Sequence, residues 1–192
     1  ILTTSAGIVL GLLANARRIA VLAADGGLDA ALSLPTPTLP HMLSRRVEPV
    51  NLGDIVFGIG LFIAAGDPTP QRVALFVFGV GCSVLVVTGF LVLVGSSAFF
   101  VGRSEAGELG FHALLLFSSY PVDIFAGATK VFLYVVVPAG FVSSVPARII
   151  DDFDWRWALL LTAVALAAAS AGWAAFTLGL RRYSGGSLWT QA

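Results

Sequence analysis

The chain has 192 residues, 57% of them hydrophobic and 11% charged, with basic and acidic side chains in equal number and a net charge of zero. Soluble domains carry about 25% charged residues, so an ordinary water-soluble fold is excluded. The lack of a basic surplus excludes a nucleic-acid surface, and a single cysteine, Cys82, excludes a disulfide framework.

A bilayer core about 30 Å thick requires roughly 20 apolar residues of helix to cross it. Residues 1–16 are uncharged and end before Arg17 and Arg18, which reads as the end of a span whose beginning precedes Ile1. Residues 17–49 form a polar connection. Within it, Leu28, Ala31, Leu32 and Leu34 give the stretch 26–35 an apolar face, and Gly26, Gly27, Pro35 and Pro37 bound it. An element of this kind lies on a membrane surface or docks against a partner.

The stretch 50–66 reads as the next span, with Asn51 as N-cap and Asp54 near the positive end of the helix dipole. Residues 73–100 form the firmest span, inside an uncharged run from Val73 to Gly102. In the following segment, Glu105, Glu108 and His112 share a helical face. The pattern predicts a solvated face on a helix at the membrane surface, with Phe111, Leu114, Leu115 and Leu116 towards lipid, rather than a metal site. His41, between prolines, is expected in solvent. Residues 121–145 read as a further span holding Pro138, and 157–180 as the last, followed by a tail over 181–192. The small-residue run AVALAAASAGWAAF in the last span suits close helix approach, within one subunit or between two.

Basic residues favour the cytoplasmic side of membrane proteins. Alternating spans put Arg17, Arg18, Arg45, Arg46, Arg103, Arg181 and Arg182 on one side, and Arg72, Arg148 and Arg156 on the other. The first side is therefore expected to be cytoplasmic. The fold class is all-α, a polytopic membrane helix bundle.

Lys130 is the only lysine. An ionisable residue at membrane depth faces a cavity or a partner, or snorkels to the interface. In a helix beginning at Pro121, Asp123 would lie two turns from it, too far for an easy direct pair. Pro138 and Pro146 bracket AGFVSSV, and proline in a span frees a carbonyl and bends the helix. A simple kink and a broken, re-entrant outer end are both open, with Gly140, Ser143 and Ser144 available to satisfy the backbone. No catalytic constellation stands out: Asp54 and Asp123 sit near helix starts, and both histidines fall outside the spans. A phosphate-binding loop needs G-x-x-x-x-G-K-[ST], and the lysine in FAGATKVF lacks the glycine before it.

The succession GGLDAALSLPTPTLPHMLSRR, NLGDIVFGIGL, SSYPVDIFAG, VVVPAGFVSSVPA and LGLRRYSGGS resembles the type-2 export permease subunits of bacterial ATP-binding-cassette exporters. The resemblance implies six spans in the family, about four and a half of them here. It implies a coupling helix at 26–35 that docks on a separate ATPase subunit, with Gly26, Asp29, Leu32 and Pro35 carried over by position. It further implies ATP and Mg²⁺ on that partner and none in this chain, a second permease subunit, identical or paralogous, and a multi-pass place in the bacterial cytoplasmic membrane. The cargo would be an amphiphilic small molecule or drug, moved along a path for which Lys130, Asp123 and Pro138 are candidates. A non-transporting scaffold and an intramembrane enzyme remain the alternatives from the residues alone.

Overall fold

The computed structural model describes residues 1–102 and 105–183, and these hold helices and turns with no strand. The helices are α1 Leu2–Leu12, α2 Ile19–Ala24, α3 Asp29–Leu32, α4 Thr38–Ser44, α5 Leu52–Ala65, α6 Pro70–Gly95, α7 Ala98–Val101, α8 Ala106–Ser118, α9 Gly127–Val135, α10 Ala139–Val142, α11 Ser144–Asp151 and α12 Trp155–Leu180.

Among the described residues, two uninterrupted elements are long and apolar enough to cross a bilayer: α6 with α7 (Pro70–Val101) and α12. Both start with a side-chain cap. Thr69 accepts the backbone N–H of Arg72, and Asp154 accepts that of Arg156, each satisfying a donor that the first helical turn leaves free. Helix α6 therefore starts at Pro70, not at residue 73, and takes Arg72 into its first turn.

The two helices pack along each other with their small residues at the crossing. A Cβ on Gly172 would lie 2.6 Å from the Gly89 carbonyl oxygen, and one on Gly89 would strike the Ala168 backbone. Leu161, Ala165, Gly172, Phe176 and Gly179 are the buried face of α12. Ala165 and Gly172 of the small-residue run pack within the chain, while Ala163, Ala167, Ser170, Ala171 and Ala174 are exposed on its other faces.

Two further membrane-depth elements are bent. Helix α1 turns by 73° into the stretch Ala14–Ala24, and α4 turns by 78° into Pro49–Ala65. The expected helix over 1–16 therefore ends at Leu12, and that over 50–66 begins at Leu52. Helices α1 and α5 lie side by side because Gly7, Gly11 and Gly58 leave room for Ile55, Leu52 and Thr4. The Asn51 side chain does not cap α5; it reaches Leu10 O at 3.4 Å and Glu48 Oε2 at 3.3 Å.

The expected span over 121–145 is not one helix. Instead α8, α10 and α11 climb α6 in sequence. Gly110 faces Val94 and Phe90, Ser118 Oγ donates to Ala139 O at 3.4 Å, Ser83 Oγ donates to Val142 O at 2.9 Å, and Pro146 meets Gly79. Helix α8 accordingly enters the bundle rather than lying on its surface, with Phe111 and Leu114 buried and Leu116 exposed. Residues 119–138 leave this column and return to it. Proline at 121 and 138 and the positive φ of Gly127 (60°) break helical continuity there.

The chain ends group into two sets. The bends after α1 and α4, the C-terminus of α6 and that of α12 share one end, since Gly95 meets Ile19 and Gly179 meets Phe99. The short turns 66–69 and 152–154 occupy the other. Arg17, Arg18, Arg45, Arg46, Arg181 and Arg182 lie at the first end, and Arg72, Arg148 and Arg156 at the second. Arg103 and the tail 184–192 lie outside the described residues.

Candidate functional site

At the arginine-rich end the chain builds a plate from residues 14–48, fixed to the membrane-depth helices where both bends occur. Glu48 is the clasp. Its carboxylate takes Arg17 at 3.0 Å on Oε2 and Arg46 at 3.1 Å on Oε1, and only 20% of its side chain is exposed. Its N–H donates to Gly11 O at 2.8 Å. Nearby, the buried Asn15 amide donates to Met42 O at 2.8 Å. A carboxylate between two guanidiniums is a charge-assisted arrangement, stronger than a neutral hydrogen bond. The expectation that His41 stands in solvent is modified too, because α4 holds it half-buried.

Helix α3 projects from this plate. Its helical part is four residues, shorter than the expected 26–35. The apolar face expected there is divided: Leu28 and Ala31 are buried, while Leu32 and Leu34 are 43% and 42% exposed. Asp29 opens α3 and is exposed, accepting the Tyr183 hydroxyl at 2.8 Å. Gly26 takes φ 73°, a conformation that a side chain would strain, and its carbonyl accepts the Asp29 N–H. Pro35 is exposed. Two inward anchors and an outward Asp29, Leu32 and Pro35 make a short knuckle of fixed orientation.

The second region is the excursion 119–138. The Lys130 ammonium lies 2.6 Å from Asp123 Oδ1, a direct ion pair. The separation expected from a continuous helix does not apply, because Asp123 sits in the 3-10 turn Val122–Ile124 and Phe125 and Ala126 are extended before α9 begins. The reversal folds Lys130 back onto Asp123.

Helix α6 supplies a depth scale. Ser144 Oγ accepts the Val122 N–H at 3.2 Å, and Ser144 adjoins the Val142–Ser83 contact. Ser83 lies about 20 Å along α6 from Pro70 at 1.5 Å per residue. The pair itself is exposed, with 80% of the Asp123 side chain and 40% of the Lys130 side chain accessible. Pro138 is buried at the return to the column. Val142 O, four residues before Pro146 and so without a helical N–H, accepts from Ser83 rather than from Gly140, Ser143 or Ser144, and Ala139 O accepts from Ser118. Gly140 instead makes room for the Tyr134 ring, which also stands edge-on to Phe141.

Glu105, Glu108 and His112 are exposed, and His112 Nδ1 lies 2.8 Å from Glu108 O. Among the described residues, no group of three or more His, Cys, Asp or Glu side chains could hold a metal ion. Sequence reasoning passed over Glu48 and Asn15. Glu48 did carry a signal, as the one acid after two adjacent arginines and directly before a proline.

The bundle thus carries a projecting knuckle at its arginine-rich end and an exposed ion pair on the excursion 119–138. A family model described as ABC-2 family transporter protein matches residues 4–187. The chain belongs to this family. It is an all-α multi-pass membrane protein with a permease role, in a family whose members are membrane subunits of ABC transporters with an ATPase partner. No curated protein and no solved structure matches the chain.

Proposed function

We propose that this permease exports an amphiphilic small molecule or drug across the bacterial cytoplasmic membrane. Its energy comes from a separate ABC ATPase subunit that carries ATP and Mg²⁺, and a second permease subunit, identical or paralogous, completes the path. The observation that carries this reading is the knuckle: Leu28 and Ala31 anchor α3 inward while Asp29, Leu32 and Pro35 face away from the bundle. A partner gripping 26–35 pushes on an element that cannot roll or fold away, so the displacement passes into the plate and its bent helices as rigid-body motion. Nucleotide shifts such an equilibrium only through its different affinity for the two states.

Asp123, Lys130 and Pro138 are assigned to the path. The pair is exposed on this chain, and an ion pair turned to hydrocarbon costs several kcal/mol, so in the assembled complex its flank faces water or protein. Apolar surroundings with one charged pair suit a cargo that is mostly apolar and carries one polar group.

Both assignments are tested in the complex reconstituted in lipid. Asp29→Ala with Leu32→Ala is expected to abolish the stimulation of ATP hydrolysis by transported dye, with hydrolysis by the free ATPase unchanged. Stimulation equal to the parent's removes 26–35 as the dock. Lys130→Gln is expected to change which dyes are carried while coupling persists, and an unaltered dye profile removes Lys130 from the path.

A further inference from the structure

The knuckle is tied to a part of the molecule far from it in sequence. Tyr183, just past α12, donates its hydroxyl to Asp29 Oδ1 at 2.8 Å across 154 residues of chain. Its ring stands edge-on to Phe99, with centroids 6.1 Å apart and planes at 90°. Phe99 in turn stands edge-on to Phe176 of α12, at 5.8 Å and 75°. The Phe99 ring fits there because residue 179 is glycine; a Cβ would strike it. Beside this train, the Arg182 guanidinium lies 5.0 Å from the centre of the Phe100 ring. Aromatic pairs in edge-to-face geometry hold one another in orientation as well as in contact, and a cation over a ring face adds attraction.

The chain neighbours of α3 are the bent elements on either side of it. Tyr183 connects it instead to the end of the last membrane helix and, through Phe99, to the end of α6–α7. We infer that Tyr183 is a positioning residue that makes α3 and the arginine-rich end of α12 one rigid body. A push on the knuckle is thereby delivered to α12 directly. This rests on the reading of 26–35 as the ATPase dock.

The test uses the permease–ATPase complex in lipid nanodiscs, with Cys82→Ala removing the one native thiol. Spin labels on Thr36→Cys, beside the knuckle, and Arg181→Cys, at the end of α12, report the distance between the two. The expected distance distribution is the same in nucleotide-free and ATP-trapped complex, and Tyr183→Ala makes it broaden or shift with ATP. A distance that changes with ATP in the parent overturns the inference. Tyr183→Phe keeps the ring contact with Phe99 and removes only the hydrogen bond, so folding is retained. It is expected to lower dye transported per ATP hydrolysed about fivefold, the loss of one hydrogen bond's coupling, with an unchanged melting temperature. Transport per ATP equal to the parent's in both Tyr183→Phe and Tyr183→Ala also overturns it. Failure of the ATPase to co-purify with the parent chain would instead remove the dock itself, and so separates the two readings.

Discussion

At the scale of single residues, the ion pairs show how much chain geometry governs what a side chain does. Lys130 and Asp123 stand out in composition, as the only lysine and one of few acids in an oily segment. Their direct contact was not legible, because it depends on a reversal created by extended residues before a left-handed glycine. Glu48 is the opposite case. It looks like an ordinary loop acid, yet its carboxylate joins Arg17, Arg46 and Asn51 at the two bends. Glu48→Gln keeps the shape and removes the charge, leaving two cations beside a neutral amide. Weakening of partly screened charge-assisted bonds of this kind costs about 1–2 kcal/mol. A lower melting temperature in detergent is the expected outcome, and an unchanged one denies Glu48 its clasping role.

Among elements, apolar run length identified α6 and α12 with small errors at their ends, since an uncharged stretch of that length has few other destinations. The bends were not legible. Arg17 and Arg18 mark where hydrocarbon ends, but the Glu48 and Asn15 contacts, with the buried Leu39, Met42 and Leu43, hold the following turns against α4. The expected span over 121–145 is divided for a different reason. Its apolar composition satisfies a span, while Pro121, Gly127 and Pro138 divide it. The α6–α12 crossing yields a prediction specific to packing. Gly172→Ala puts a methyl against the Gly89 carbonyl and is expected to destabilise the bundle by about 1–3 kcal/mol through overpacking. Gly81→Ala, on the open side of α6 with nothing within 4 Å, is expected to be neutral or to stabilise by up to about 1 kcal/mol. Equal melting temperatures for the two variants would contradict the close crossing.

For the whole molecule, the two ends differ in charge and in shape. One bears the plate, the knuckle and six arginines; the other bears two short turns. By the positive-inside tendency the plate is expected on the cytoplasmic side, the side on which the proposed ATPase partner would act. Cysteine labelling checks this in intact cells, with a low background because the one native thiol is buried. Asp67→Cys, on the short turn, is expected to react with a membrane-impermeant maleimide from outside. Ser44→Cys, on the plate, is expected to react only after permeabilisation. The reverse pattern would turn the protein over and remove the proposed coupling to a cytoplasmic motor.

Composition and run length by themselves determined that this chain is a helical membrane protein and where its two continuous spans lie, because hydrocarbon penalises every charge and unsatisfied backbone group in proportion to local sequence. The order of short motifs carried its resemblance to the export permeases. The tertiary structure alone decided that Lys130 meets Asp123, that Glu48 clasps both bends, and that the knuckle is tied to the last helix through Tyr183. Each of these joins groups through space across a chain reversal: the first depends on a break in the helix between its partners, and the others on partners up to 154 residues apart, which leave no periodicity to read.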